Sequence, residues 1–391
     1  MNVNKNTPDI RFSGFGGNWI ERKIEGVLTE EKRHITLIDD ESYELVTVRR
    51  RNQGVISRGF LNGRDILVKN YFKVRAGDFL ISKRQVIHGA NGIVPSCLDK
   101  AIVSNEYLVI GDNEEIKTEF WALIARMPQM YEKFFLSSYG VDIEKMVFDV
   151  FDWKTRDVVI PGIAEQTAIS DFFKNIDQNI SLSRRKYEKT ETLKNVLLSK
   201  MLPQAGKNQP EIRLKGFSGD WIEVKLEDTL LEQIKGKAQF DKLSNGVVEY
   251  LDAARLNRGK PFLCNAKNDV LQSDILIIWD GSNAGKVYRG FEGALGSTLK
   301  AYRTNEKYSS EFIFQHLLKN EKVIFAEFRT PNIPHVVKDF TSSYTVTAPN
   351  IEEQTAIGNF FKQLDDTLAL QAKQLKALEN LKKALLAKMF V

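Results

Sequence analysis

One stretch of this chain occurs twice, and nothing else in the sequence limits the fold as strongly. The first copy runs from Ile163 to Met201 and the second from Ile351 to Met389. Glu165-Gln166-Thr167-Ala168-Ile169 returns as Glu353-Gln354-Thr355-Ala356-Ile357, and Phe172-Phe173-Lys174 as Phe360-Phe361-Lys362. Every matched pair lies 188 positions apart without a gap, and about half the positions are identical. A constant offset over so long a stretch marks an internal duplication.

Each copy has a helical period. Ile169, Phe173, Ile176, Ile180, Ser183, Tyr187, Thr190, Lys194, Leu197 and Met201 follow a 4-3-4-3 spacing, and the equivalent residues from Ile357 to Met389 repeat it. That is the heptad seam of a coiled coil. Pro161 and Pro349 precede the two helices, and Pro203 stops the first; proline is tolerated at a helix start and not within one. Ser183, Thr190 and Lys194 in one seam, and Gln371 and Lys382 in the other, are polar. Such residues weaken a seam but fix its register. The plainer alternative is two amphipathic helices of an ordinary core, for which these stretches are long.

A second repeat opens each half. Ile10-Arg11-Phe12, Gly14-Phe15 and Gly17-Asn18-Trp19-Ile20-Glu21 reappear as Ile212-Arg213-Leu214, Gly216-Phe217 and Gly219-Asp220-Trp221-Ile222-Glu223. The offset here is 202, so the segment between motif and helix is 14 residues longer in the first half. The order is motif, variable domain, long helix, twice over. Pro203 to Pro210 reads as the linker between the halves. The expected boundaries are 1–160 and 205–346 for the domains and 161–204 and 347–391 for the helices.

Within the domains, Tyr43–Val48, Asp65–Val68, Asp78–Ser82 and Glu106–Ile110 read as strands. So do Val247–Leu251, Asp274–Trp279, Lys286–Tyr288 and Leu299–Tyr302. Helical stretches follow near Thr118–Leu136 and Ser309–Phe325. Strands first and helices later predict an α+β fold. Gly77-Asp78-Phe79-Leu80-Ile81-Ser82 is matched by Ser273-Asp274-Ile275-Leu276-Ile277-Ile278, so the domains read as distant copies of one fold.

No apolar run reaches the ~18 residues that span a bilayer, so no membrane is expected. Met1–Asp9 is polar and does not read as a signal peptide. Cys97 and Cys264 fall in different halves and are expected to be reduced, in the cytoplasm. The four histidines show no ligand spacing, so no metal site is expected.

Charge is concentrated rather than large; the net value is only +5. Ten Lys/Arg lie between Arg49 and Arg84, with only Asp65 and Asp78 against them. A weaker group spans Lys235 to Lys267. Such clusters suit phosphate neutralisation, and Arg, Lys, Asn and Gln on a rigid frame suit base reading. The alternative for either cluster alone is a solvated basic face. Candidate DNA contacts are Arg49, Arg50, Arg51, Arg58, Lys83, Arg84 and Asn91 in the first domain. In the second they are Lys235, Lys237, Arg255, Arg258, Lys260, Ser282, Asn283 and Lys286.

Three motifs suggest enzymes and fail. Phe12-Ser13-Gly14-Phe15-Gly16 fits a methyltransferase cofactor loop, but no strand precedes it and its repeat, Leu214 to Ser218, lacks the last glycine. Pro8-Asp9 with Glu21-Arg22-Lys23 mimics a metal nuclease, but the glycines between them leave no room for the hairpin that unites the carboxylates. Gly281-Ser282-Asn283-Ala284-Gly285-Lys286 is one residue short of a phosphate loop. It reads as a tight turn, either purely structural or touching nucleic acid, with Gln85–Gly92 as its rough equivalent. No catalytic and no cofactor-binding residues are expected.

Two helices pairing antiparallel would close the chain with a pseudo-twofold axis. Forty residues at 1.5 Å make a rod of about 60 Å, about seventeen base pairs long at ~3.4 Å each. Unlike domains near its ends would read an asymmetric, bipartite target. This layout resembles the specificity (S) subunits of type I restriction-modification systems, most specifically in the paired Glu-Gln-Thr-Ala-Ile and Gly-Phe…Trp-Ile-Glu motifs. The resemblance implies two target-recognition domains and a central and a distal spacer helix. It implies a non-catalytic subunit on double-stranded DNA, docking two methyltransferase subunits that use S-adenosylmethionine. Restriction subunits using ATP and Mg²⁺ would complete the complex. The competing readings are an enzyme with a site folded from scattered residues, and a coiled-coil protein unrelated to DNA.

Overall fold

A computed structural model describes residues 6–204, 206–332 and 334–391; the expected domain starts at 1 and 205 lie outside them. Two helices, Ile163–Met201 and Ile351–Lys388, fill the duplicated stretches. Every residue assigned to the two seams is buried or half-buried, as a heptad pattern requires.

The chain divides into two units. One comprises residues up to Ser181 with Lys376–Val391; the other is Leu182–Leu375. Each unit therefore holds the start of one long helix and the end of the other. In the first, Phe173 and Ile176 share a core with Met389, and Leu385 and Leu386 pack against it. Lys382 Nζ donates to Asp177 at 2.5 Å. In the second, Leu198 and Met201 share a core with Ile357 and Phe361, and Lys194 Nζ donates to Asp365 at 2.5 Å. Early residues of one helix meet late residues of the other, so the packing is antiparallel in both units. Asp177 and Asp365 differ by the repeat offset of 188, as do Lys194 and Lys382. The seam lysines thus make the same bridge twice, each tying its helix to one register.

The opening motif locks onto the helix that ends its own unit. Arg11 reaches both carboxylate oxygens of Glu165 at 2.6 Å and donates to the carbonyls of Gly16 and Gly17. Arg213 does the same with Glu353, at 2.8 and 2.7 Å, and with Ser218 and Gly219. Both glutamates are buried, at 3% and 0% exposure, and the forked pair satisfies both their oxygens. The carbonyls can point inward because Gly14 and Gly17, like Gly216 and Gly219, have φ between +77° and +99°, which glycine adopts freely. Gly16 is outside that set, which is why its counterpart can be Ser218. The strand after each motif pairs antiparallel with the strand before each long helix: Ile20–Lys23 with Asp157–Ile160, and Ile222–Lys225 with Thr345–Ala348.

Each unit is α+β around a four-stranded antiparallel sheet. The strand orders correspond: Thr29–Glu30, Tyr107–Gly111, Phe79–Ser82, Asn91–Ile93 in the first and Leu230–Lys235, Leu299–Thr304, Ile275–Ile278, Val287–Arg289 in the second. The shared aspartates, Asp78 and Asp274, are buried and forked by arginines from non-equivalent places, Arg33 just before the strand His34–Ile35 and Arg303 within the strand Leu299–Thr304. The units diverge at the second sheet. The first has five strands, His34–Ile35, Tyr71–Lys73, Ile102–Ser104, Ser42–Val48 and Val55–Asn62, where the second has three.

Two expectations change. Asp65–Val68 is no strand: Gly63–Asp65 is a 3₁₀ turn, and Leu67 and Val68 are exposed. The sheet takes Val55–Asn62 instead, whose outer residues are nearly all exposed and so lack alternation. Each expected long domain helix is two: Thr118–Ile124 and Pro128–Leu136, then Ser310–Lys319 and Glu321–Glu327. Pro128, lacking an N–H, starts the second of its pair.

Replacing Arg213 by Ala strands the Glu353 carboxylate in the core. Loss of about 3–5 kcal/mol is expected, read as a lower urea midpoint. His316 is buried against Tyr344, and burial, with Lys319 adding to it, pushes its pKa down from 6.5 to about 3. The unfolded chain then binds a proton that the folded chain refuses, so stability falls as pH drops from about 6.5 towards 3. In the His316→Gln variant the urea midpoint should vary less over that window.

Candidate nucleic-acid interface

In the first unit, two candidate groups far apart in sequence come together. The hairpin of Ser42–Val48 and Val55–Asn62 turns at Arg49–Gly54, where Arg51 and Asn52 have φ of +58° and +55°. Its tip lies on the Gln85–Ala90 turn: the N–H of Arg51 donates to the His88 carbonyl at 2.7 Å and that of Asn52 to Gly89 at 2.8 Å. Gly89 is needed there, since a Cβ would meet Asn52 at 3.1 Å. Arg49, Arg50, Arg51 and Arg84 are exposed around this junction. Arg58 lies away from the hairpin tip, beside the bulge opposite Leu45 and Val46.

Not every candidate is free to bind. Arg50 pairs with Glu144 at 2.8 Å, and Arg84 with Glu106 at 2.5 Å. Lys83 Nζ donates to the Asn105 carbonyl, and burial pushes its pKa down. Asn91 is 1% exposed and its Oδ1 has no partner among the described residues; its place is inside the sheet, so it is corrected from a surface contact to a buried residue. The local acid tally is also corrected. Arg50, Arg64, Lys69 and Arg84 face Glu144, Asp40, Asp39 and Glu106 respectively, all outside the Arg49–Arg84 stretch, while Asp78 is taken by Arg33. Arg49, Arg51 and Arg58 remain exposed and have no ion pair among the described residues.

The second unit's counterpart of the Gln85–Ala90 turn is Asp280–Lys286. Each joins the third and fourth strands of its sheet. Gly281 and Gly285, with φ of +102° and +95°, make the tight turn, and Ser282 and Lys286 are exposed while Asn283 is half-buried. Arg329 donates to the Ser282 carbonyl at 3.1 Å and lies over Phe325. Beside the turn, Lys300 Nζ sits 3.2 Å from the centre of the Trp279 ring, a cation–π contact. Burial, and then Lys235 across the strand pair, pushes the Lys300 pKa down. Lys235 and Lys237 are exposed. Arg255, Arg258 and Lys260 form a separate group on and after the helix Ala253–Leu256. There Arg255 is bonded to Glu249 and stacked on Phe291, and Arg258 takes φ +70°. Sequence reasoning missed Lys300, Trp279 and Arg329. Lys300 is a single lysine within the apolar Leu299–Tyr302 run and carries no linear signal.

Among the described residues no group of three or more His, Cys, Asp or Glu is placed to hold a metal ion, and no helix is long and apolar enough to cross a membrane. Cys97 and Cys264 are free thiols.

The family described as "Type I restriction modification DNA specificity domain" matches residues 218–380. The specificity subunit of the type I restriction enzyme MjaVIII from Methanocaldococcus jannaschii is 30% identical over 179 residues, covering 44% of this chain and 42% of that relative. The chain is therefore matched over less than half of that relative's length. In fold it is similar to the type I restriction-modification S subunit from M. genitalium, with TM-score 0.68 and 17% identity over 98% of this chain and 99% of that one. A chain from a study of complex assembly and conformational transition of the type I R-M system gives TM-score 0.52 and 17% identity, over 95% of this chain and 97% of that one. The family match falls mainly on the second unit, and the first unit repeats the strand order of that unit's four-stranded sheet.

Arg49→Ala with Arg51→Ala should weaken DNA binding at low salt and flatten its salt dependence, by roughly one unit of slope for each phosphate no longer neutralised. Arg50→Ala alone should do less, because Arg50 is already paired. Fluorescence anisotropy over a salt series reads both; equal effects would place the DNA elsewhere on this unit.

Proposed function

We propose that the chain is the sequence-reading subunit of a type I restriction-modification complex, recognising a bipartite, asymmetric double-stranded DNA target without catalysis of its own. What carries this reading is the pairing of sameness and difference between the units. Their four-stranded sheets share one strand order, yet the turn that projects between the third and fourth strands is Lys83–Ala90 in one and Trp279–Lys286 in the other. Frames with a common four-stranded sheet and unlike polar and cationic tips suit two unlike half-sites. The long helices, which both units share, set the length of unread DNA between the half-sites in this reading.

The chemistry then belongs to partners: two methyltransferase subunits supplying S-adenosylmethionine-dependent adenine methylation, and restriction subunits supplying ATP- and Mg²⁺-dependent translocation and cleavage. The subunit would work in the cytoplasm, where its DNA is.

The test replaces Ser282, Asn283 and Lys286 together by Ala in the assembled complex and maps methylated adenines across a genome. One half-site should relax or change while the other keeps its sequence, each base-reading side chain being worth about 1–3 kcal/mol of discrimination. Change in both half-sites, or in neither, would count against the assignment of one unit to one half-site.

A further inference from the structure

Two lysines of the second unit stand opposite each other without a carboxylate partner. In the strand pair Leu230–Lys235 and Leu299–Thr304, Lys235 is the direct partner of Lys300, and like charges so placed repel. Neither makes an ion pair among the described residues, and Asp280 attracts Lys300 only from beyond that distance. Lys300 is half-buried, its Nζ 3.2 Å from the centre of the Trp279 ring. The ring face attracts the ammonium but brings no negative charge. A half-buried ammonium facing a second one costs stability until an anion joins them.

The first unit shows the same place neutralised from within. Leu108 pairs with Ile81 as Lys300 pairs with Ile277, so Leu108, 1% exposed, holds the matching position. The half-buried lysine there is Lys83, at the start of the projecting turn, where the second unit has Trp279. Burial pushes the Lys83 pKa down; Glu30 and Glu106 oppose the shift, and Lys32 and Lys154 add to it. Glu30 sits among these lysines, 3.2 Å from Lys154 and 3.6 Å from Lys32. It pairs with Ile110 as Gln233 pairs with Tyr302, and Ile110 and Tyr302 match by the same ladders. Lys32 and Lys235 each stand two residues further on. The lysines recur in the second unit, while an amide replaces the carboxylate between them.

Position says which anion completes the second unit. Trp279 begins the turn Trp279–Lys286, whose Ser282, Asn283 and Lys286 are candidate DNA contacts. An anion held between Lys235 and Lys300 stands at the root of that turn. Lysine is a compact point charge with three donors on a flexible stem, which suits a phosphate oxygen. Phosphate contacts fix register and orientation and leave the bases to neighbouring side chains.

We propose that Lys235 and Lys300, backed by the Trp279 ring, bind one backbone phosphate of the DNA and so seat the turn Trp279–Lys286 on its half-site, and that the Glu30 carboxylate fills the equivalent place in the first unit. The proposal rests on the DNA-recognition reading above. The test makes Lys235→Met with Lys300→Met in the full chain. Stability is read first, without DNA. The double variant removes a repelling pair, so its urea midpoint should hold or rise. DNA binding is then read by fluorescence anisotropy across a salt series in the assembled complex, on its selected target and on a scrambled duplex.

The double variant should weaken both duplexes alike, roughly eightfold at ~0.1 M salt, and flatten the salt slope by roughly one unit, one phosphate's share. Glu30→Gln, which copies the amide of Gln233 into the first unit, should steepen the slope instead. Unchanged affinity and slope in the double variant overturn the phosphate site and leave the DNA-recognition reading standing. So does loss on the selected target alone, which would make these lysines base readers, or a lower midpoint, which would make them supports of the fold. An unchanged slope in Glu30→Gln overturns the equivalence drawn between the units. A midpoint that inorganic phosphate raises in the unaltered chain but not in the double variant, with DNA affinity the same in both, assigns the site to a free anion and overturns it too. If the unaltered complex binds no DNA at all, the underlying reading falls and the phosphate site falls with it.

Discussion

A forked ion pair, made once in each unit, holds the frame together. An arginine from the opening motif grips a glutamate in the first turn of the long helix that ends the same unit. The glutamate is well placed before any partner is considered, because the helix N-terminus favours negative charge. The next residue extends the anchor. Gln166 accepts from the Lys117 N–H and donates to the carbonyls of Glu115 and Pro161. Gln354 accepts from the Ser309 N–H and donates to Lys307 and Pro349. One helical turn thus fixes the opening motif, the segment entering the domain helices and the proline that precedes the long helix. Remove the arginine and a buried carboxylate is left uncompensated at the point where all three meet.

This anchoring explains where the two halves were free to differ. Residues that hold the frame have partners on several elements, so a change in one costs several bonds. The projecting turns are held to their neighbours largely through backbone groups, among them the carbonyls of His88, Gly89 and Ser282, which residues of any kind supply. The second sheet has five strands in one unit and three in the other, and Gln85–Ala90 and Asp280–Lys286 carry different side chains, while the Arg–Glu pair, the ribbon beside it and the antiparallel helix packing are the same in both. In the function proposed above, that separation between a frame under many constraints and tips under few lets each unit read a sequence of its own.

Much of the frame was legible in the sequence because its signals are periodic or repeated. The long helices, their seam and the correspondence of Gly77–Ser82 with Ser273–Ile278 follow from spacing alone. Even so, the sequence showed Arg11 and Glu165 only as members of two separate repeats; that they bond across 154 positions is visible only in three dimensions. The interface was less legible for the same reason. A run of cations can be counted in a line, but the acids that neutralise Arg50, Arg64 and Arg84 arrive from Glu144, Asp40 and Glu106. Asn91 looked like a reader beside His88 and proved to be inside a sheet, since a three-residue strand, Asn91–Ile93, is too short to show alternation. Lys300 gained its meaning from Trp279, just past the end of the neighbouring strand Ile275–Ile278.

The central claim is that two units of one design read two different short sequences. Selection of bound DNA from a random-sequence pool by the assembled complex tests it most directly. The account predicts two unlike conserved blocks separated by a gap of fixed length and no sequence preference. A single uninterrupted block, or two identical inverted blocks, would contradict it.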